Sequence, residues 1–199
     1  MMELLENLEP LYRDWNSKIN VISRKDMDSF YTHHVLHSLA IARYLSLNPL
    51  AEKAFSEGRI LDLGTGGGFP GIPLAIHYPG ARFTLCDSVG KKTLVAGEVA
   101  KSLGLNNVEI VNARAESLEG GFDFVVSRAV APLDRLYGWT RGKFARSIIC
   151  LKGGDINAEI ADLCKRFRLD PSRVSVWPVS SAFDDPWFEG KMVVEVRND

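Results

Sequence analysis

Apolar positions in residues 1–58 recur at helical spacing. Leu4, Leu5, Leu8, Leu11, Trp15 and Ile19 fall on one helix face, and Val35, Leu36, Leu39, Ala40 and Leu47 extend the pattern in a second helix. Pro49 and Gly58 punctuate its end. From Arg59 onward the pattern changes to short apolar runs separated by helical stretches. Strands are predicted at 59–63, 81–87, 107–111, 122–127, 146–151, 173–179 and 190–197. A well-marked helix over 90–103, closed by Gly104, separates the second and third. This alternation predicts a mostly parallel sheet with helices on both faces. Only a loop holding Asp184-Asp185-Pro186 joins the last two strands. They should therefore pair antiparallel, because a parallel pair needs a longer crossover. The expected organisation is a helical extension over 1–58 and an α/β domain over 59–199.

The first predicted strand runs into Gly64-Thr65-Gly66-Gly67-Gly68-Phe69-Pro70-Gly71, with a helix expected from about Pro70. Glycines supply positive φ and let the backbone approach a ligand where a Cβ would collide. Two templates fit the loop. Gly66, Gly68 and Gly71 match G-x-G-x-x-G, the dinucleotide fingerprint. Counted from Asp62, the pattern is acid-x-G-x-G-x-G, with Gly64, Gly66 and Gly68 as its glycines. A pyrophosphate wants bare N–H groups at a helix N-terminus and gains nothing from a nearby carboxylate. A ligand carrying an ammonium and a sulfonium is attracted to one. Asp62 thus tips the choice toward S-adenosylmethionine and away from a nicotinamide cofactor. Its alternative role is a strand-end carboxylate capping the loop's own amides. Asp87, at the end of the second strand, is placed to accept ribose hydroxyls, a role that serves either cofactor and is compatible with capping the helix near Gly90.

Composition adds mostly exclusions. A chain of 199 residues with 46% apolar and 25% charged residues is ordinary for a folded domain. A net charge of −1 gives no global attraction to nucleic acid, so such a partner would need a local basic patch. Cys86, Cys150 and Cys164 form no C-x-x-C and suit a reducing cytoplasm. Neither a signal-peptide layout nor an apolar run of membrane-spanning length is present, and no membrane partner is expected.

Further candidates follow the later strands. Ala115 and Glu116, after the third strand, should lie on the carboxyl-end rim beside an adenine, with helix capping as the alternative for Glu116. Arg128, directly after the fourth strand, faces the same cleft and is suited to a carboxylate or phosphate. Its rival role is an ion pair with a rim carboxylate such as Asp62. His33 and His37 share a helix face, but the acid of H-E-x-x-H is missing, so no metal is expected. Arg24, Lys25, Lys91, Lys92, Arg135 and Lys152 are candidates for nucleic-acid phosphates, against the alternative of solvated helix faces.

With these residues assembled, the chain resembles the RsmG (GidB) family, which methylates N7 of a guanine in bacterial small-subunit (16S) ribosomal RNA. The likeness runs from about residue 12 to 154. It is carried by Trp15-Asn16-Ser17-Lys18-Ile19-Asn20, Leu61 to Ala75, Asp87-Ser88-Val89-Gly90-Lys91-Lys92, Arg114-Ala115-Glu116, Ser127 to Leu133 and Leu151-Lys152-Gly153. The resemblance implies a class I methyltransferase, that is, a Rossmann-like, seven-stranded, mostly parallel sheet with an N-terminal helical extension. It implies S-adenosylmethionine contacts from Gly64, Phe69, Asp87, Ser88, Ala115, Glu116 and Arg128. It also implies a monomeric cytoplasmic enzyme acting on 16S ribosomal RNA or the small subunit. The chain departs from the family in the second helix, where members usually carry an arginine and an aspartate and this chain has Thr32-His33-His34-Val35-Leu36-His37-Ser38, with His37 expected at the aspartate position, and in an abbreviated stretch from Tyr137 to Arg146. The substitution at His37 keeps open a second reading, a non-catalytic S-adenosylmethionine-binding RNA or ribosome-assembly factor. N7 has a lone pair and no proton, so methylation there needs positioning rather than a general base; no catalytic residue is assigned, with Arg128 the one candidate.

Overall fold

In the computed structural model the described residues are 1–198; Asp199 and the side chain of Arg24 lie outside them. The strands are β1 (Arg59–Leu63), β2 (Arg82–Asp87), β3 (Val108–Asn112), β4 (Phe122–Arg128), β5 (Phe144–Gly153), β6 (Val174–Pro178) and β7 (Lys191–Arg197). They form one seven-stranded sheet in the order β3-β2-β1-β4-β5-β7-β6. β1 to β5 pair in parallel, and β7 runs antiparallel to both β5 and β6. The central strands are apolar along their length because both faces are covered, as parallel sheets require. Strand order reverses between β1 and β4, so a crevice opens at their carboxyl ends, Leu63 and Arg128.

The N-terminal segment divides into α1 (Met2–Glu6), α2 (Leu8–Lys18), α3 (Arg24–Met27), α4 (His37–Leu45) and α5 (Pro49–Ser56). The single helix expected over 4–19 is broken at Asn7. Pro10 has no N–H to donate to Glu6, so the helix restarts at Leu8. Pro49 begins a helix instead of ending one: Asn48 Oδ1 accepts from the Leu50 and Ala51 amides at 3.2 and 3.3 Å, and proline suits the first helical position. A π-helical turn, Tyr31–Leu36, precedes α4 and sets the directions of His33, His34 and His37.

The remaining helices are α6 (Gly71–His77), α7 (Gly90–Ser102), α8 (Leu133–Thr140) and α9 (Asn157–Phe167). One core joins the N-terminal helices, α6 and α7 to one sheet face through Leu8, Tyr12, Ile41, Phe55, Ile60, Phe83 and Val95. On the other face, α8 and α9 bury Leu136 and Leu163 against Leu61, Val125 and Ile148. Two short 3₁₀ turns, Val179–Ser181 and Pro186–Phe188, connect β6 to β7. Among the described residues no helix is long and apolar enough to cross a membrane.

Candidate active site

The glycine loop is held from beneath. Ile60 packs into the core under the N-terminal helices, and Asp62, two residues on, points the same way, toward α6. Asp62 is fully buried. Its Oδ2 accepts the Thr65 hydroxyl at 2.6 Å and the Gly71 amide at 2.8 Å. A Cβ on Gly71 would stand 2.6 Å from that oxygen, so the contact needs glycine. Oδ1 is buried with no hydrogen-bond partner. Burial pushes the carboxyl up to about 7, against the opposing pull of Thr65, Gly71 and Arg128. The expectation of a carboxylate standing on the rim is therefore corrected: Asp62 braces the loop's own donors. Tyr12, which no sequence pattern singled out, reaches from α2 to donate to Gly67 O at 2.5 Å.

Above the loop, Gly64 has φ +70°, and a Cβ there would lie 2.3 Å from Val130 Cγ2. Its glycine therefore permits the β4–α8 loop to close over the end of β1. Asp87 Oδ2 accepts the Gly66 amide and Oδ1 the Val89 amide, each at 2.9 Å. Each carboxylate oxygen retains capacity for a further donor. Gly64, Asp87, Ser88, Ala115 and Glu116 line one cleft of about 210 Å³, with Val130 and Trp139. Gly66 adjoins it through Asp87, whereas Gly68 and Phe69 are buried beneath the loop. The Glu116 side chain is exposed, and the 3₁₀ turn that holds it, Ala115–Ser117, has no side-chain cap.

Val130 also borders a second cavity of about 550 Å³, whose walls include Asp26, His33, His34, His37, Arg128, Trp187 and Lys191. Arg128 donates to His33 O at 3.2 Å and to His34 Nδ1 at 3.0 Å, and lies 5.1 Å from the centroid of the Phe69 ring. Among the described residues no carboxylate lies within 4.0 Å of it, so the ion pair with Asp62 is not formed. Burial pushes the guanidinium down to about 10, which leaves it charged at neutral pH. A guanidinium only donates, so His34 Nδ1 is an acceptor and its proton sits on Nε2. Burial, reinforced by Arg128, pushes both His34 and His37 down to about 3. Ala129, next to Arg128, holds φ +52°, a left-handed conformation that a non-glycine residue adopts at a cost. A cavity of about 640 Å³ beside Tyr44, Asp123 and Ser147 is larger, but none of the glycine loop, Asp87 or Arg128 lines it.

The basic candidates separate. Lys25, Lys91 and Arg135 are exposed and Lys92 is half-buried; Lys91, Lys92 and Arg135 sit in the first turns of α7 and α8, on the carboxyl-end rim. Lys152 is not available to phosphate. Its Nζ donates to Ala131 O at 2.6 Å and to Glu159 Oε2 at 2.8 Å, because a buried ammonium must be paired. The Arg24 side chain lies outside the described residues. Among those described, no three His, Cys, Asp or Glu side chains converge to hold a metal.

A family model described as GidB, rRNA small subunit methyltransferase G, matches residues 1–183. The chain belongs to the GidB family. A GidB relative in Christiangramia forsetii, named ribosomal RNA small subunit methyltransferase G, is 46% identical over 197 residues, covering 95% of this chain and 86% of its own. One of the same name in Porphyromonas gingivalis is 47% identical over 201 residues, covering 96% and 85%. The fold is also shared with more distant solved structures. Magnesium protoporphyrin IX methyltransferase from Synechocystis PCC 6803, with bound SAM, superposes with a TM-score of 0.65 at 16% identity over 96% of this chain and 90% of its own. TYW2 of M. jannaschii in complex with AdoMet gives 0.56 at 15% identity over 81% and 75%. The seven-stranded order seen in this chain is the class I methyltransferase layout that the resemblance implied.

Proposed function

We propose that this GidB-family protein transfers a methyl group from S-adenosylmethionine to N7 of a guanine in small-subunit ribosomal RNA, as a cytoplasmic monomer. The observation that carries the reading is one loop, from β4 to α8, bordering both cavities: the cleft over Gly64 and Asp87, and the chamber lined by Arg128. The residues fit the cofactor. Asp87 keeps acceptor capacity for ribose hydroxyls, Ala115 and Glu116 border the adenine end, and Arg128 is a buried cation free of carboxylates for an anionic group. Bound there, S-adenosylmethionine supplies an electrophilic methyl group on a sulfonium.

The protein's own part is positioning. Guanine N7 carries no proton, so no general base is required, and the neutral His34 and His37 need not titrate. Holding N7 in line and excluding water supplies roughly 7–11 kcal/mol of the barrier. N7 is inaccessible in the deep, narrow major groove of an RNA duplex, so the target is an unstacked loop base. Lys25, Lys91, Lys92 and Arg135 provide contacts for the flanking phosphates.

The test is methyl transfer from labelled cofactor to small ribosomal subunits lacking the modification, followed by mass analysis of nucleosides. A 7-methylguanosine product is expected; cofactor binding with no transfer would sink the reading and favour a non-catalytic factor. Gly64→Ala adds a second check. Alanine must push Val130 aside while holding a positive φ, at a cost of about 1–2 kcal/mol. Calorimetry with S-adenosylhomocysteine should show affinity reduced at least about tenfold. Unchanged affinity would mean that the cofactor does not lie over Gly64.

A further inference from the structure

Trp187 and Lys191 lie beyond residue 183, where the family match ends, and neither borders the cleft over Gly64. Trp187 sits in the 3₁₀ turn before β7. Its amide donates to Asp185 Oδ1 at 2.8 Å, and its neighbour Phe188 is fully buried, which anchors the turn. The indole stacks on His33 with ring centroids 4.0 Å apart and planes 14° apart. Lys191 Nζ stands 3.8 Å from the indole centroid. An ammonium and a stacked ring at nearly equal distance do not fit on one side, so Lys191 covers the face opposite His33. His37 meets the indole edge-on, with centroids 5.2 Å apart. Among the described residues no carboxylate pairs with Lys191; its partner is the indole face. His33 O accepts from Arg128, so the indole is one residue removed from that guanidinium along the same cavity wall.

Resting on the proposed reaction, we propose that the indole face now covered by Lys191 receives the target guanine and stabilises the positive charge the base acquires. In the transfer, the N7 lone pair forms the N–CH₃ bond while the S–CH₃ electron pair stays on sulfur. A unit charge leaves the sulfonium and ends on the purine, and no proton moves. An indole face attracts a cation by its quadrupole, an interaction a neutral base lacks. The contact therefore strengthens as the reaction proceeds, which raises turnover more than binding. Lys191 marks the preference: a cation already occupies that face. When the base enters, its flexible stem carries the ammonium aside, toward the incoming RNA phosphates.

The experiment compares guanosine monophosphate with 7-methylguanosine monophosphate by calorimetry, at mildly acidic pH where the methylated base is cationic. Wild type, Trp187→Leu, Trp187→Phe and Lys191→Ala are measured, with thermal melts of each. The wild type should bind the methylated nucleotide about tenfold more tightly. Trp187→Leu should erase the preference, Trp187→Phe keep part of it, and Lys191→Ala keep or widen it. In single-turnover assays on small subunits, Trp187→Leu should slow transfer at saturating RNA about tenfold, with a smaller change in KM. Equal affinities in the wild type, a preference surviving in Trp187→Leu, or a preference lost in Lys191→Ala would overturn the assignment. If the wild type forms 7-methylguanosine yet shows no preference, the indole site falls and the reaction stands. If it forms none but the preference depends on Trp187, the indole site stands and the reaction falls.

Discussion

Arg128→Lys is expected to lower methyl transfer roughly a hundredfold while the domain stays folded. The lysine keeps the charge, so the loss reports geometry. The guanidinium spends one nitrogen on His33 O and another on His34 Nδ1, and lies against the Phe69 ring. A planar fork can hold those wall contacts and still present N–H groups to an anion; an ammonium is a single point that must choose. The anion is either the cofactor's carboxylate or a phosphate of the RNA, and kinetics separates them. A rise confined to the KM for cofactor assigns the first, a rise confined to the KM for RNA the second, and wild-type kcat/KM for both would sink the role. A circular-dichroism melt guards against a trivial cause. Loss of the fold is not expected, because lysine still supplies the cation beside neutral His34.

Those contacts show what a linear reading can and cannot see. Leu63, Asp87 and Arg128 were legible because apolar runs end at the sheet's carboxyl rim, where parallel topology gathers ligand-binding groups. The antiparallel final pair was legible for a similar reason, since connection length forbids the alternative. Which way a rim side chain points was not. Asp62 and Asp87 both stand at the ends of β1 and β2, yet one is sealed under α6 and the other borders the cleft. That difference is set by what packs on each face, which periodicity alone does not reveal.

Residues brought in from far along the chain were also hidden. Tyr12 braces a loop that begins more than fifty residues later, and Trp187 reaches His33 from the opposite terminus. Each reads as an ordinary core aromatic in its own segment. Lys152 differs from its expected role for the converse reason. Its ammonium is consumed by Ala131 O of the β4–α8 loop and Glu159 Oε2 of α9, a pairing that only the packing of both against the end of β5 creates. His37 carries no charge at neutral pH, because burial and Arg128 keep it neutral.

Asp62→Asn should change how stability depends on pH. The folded carboxyl titrates near 7, against about 3.8 when unfolded, chiefly because burial penalises its charged form. Between those values the folded protein holds a proton that the unfolded chain has released. The contribution of Asp62 is therefore fully present below about 3.8 and is lost as pH rises through about 7. Its full size is on the order of 4 kcal/mol, from about three units at 1.36 kcal/mol each. His34 and His37 act in the opposite sense, because their depressed values make the fold lose stability as pH falls below 6.5. The wild-type curve is thus a balance, and only its difference from Asp62→Asn isolates the carboxyl. Urea unfolding at intervals from pH 4.5 to pH 8 should show the wild type losing ground to the asparagine variant as pH rises. A constant difference across that range would mean that Asp62 stays ionised in the fold. Asp62→Ala should behave differently again, because it strips the partner from Thr65 Oγ1 and the Gly71 amide together. Two buried donors left unsatisfied cost about 2–6 kcal/mol, which should unseat the glycine loop and remove cofactor binding at every pH. Asparagine can still accept from both donors through its own oxygen, so the loop should persist in that variant. The pair of substitutions thus separates the charge of Asp62 from its service as an acceptor.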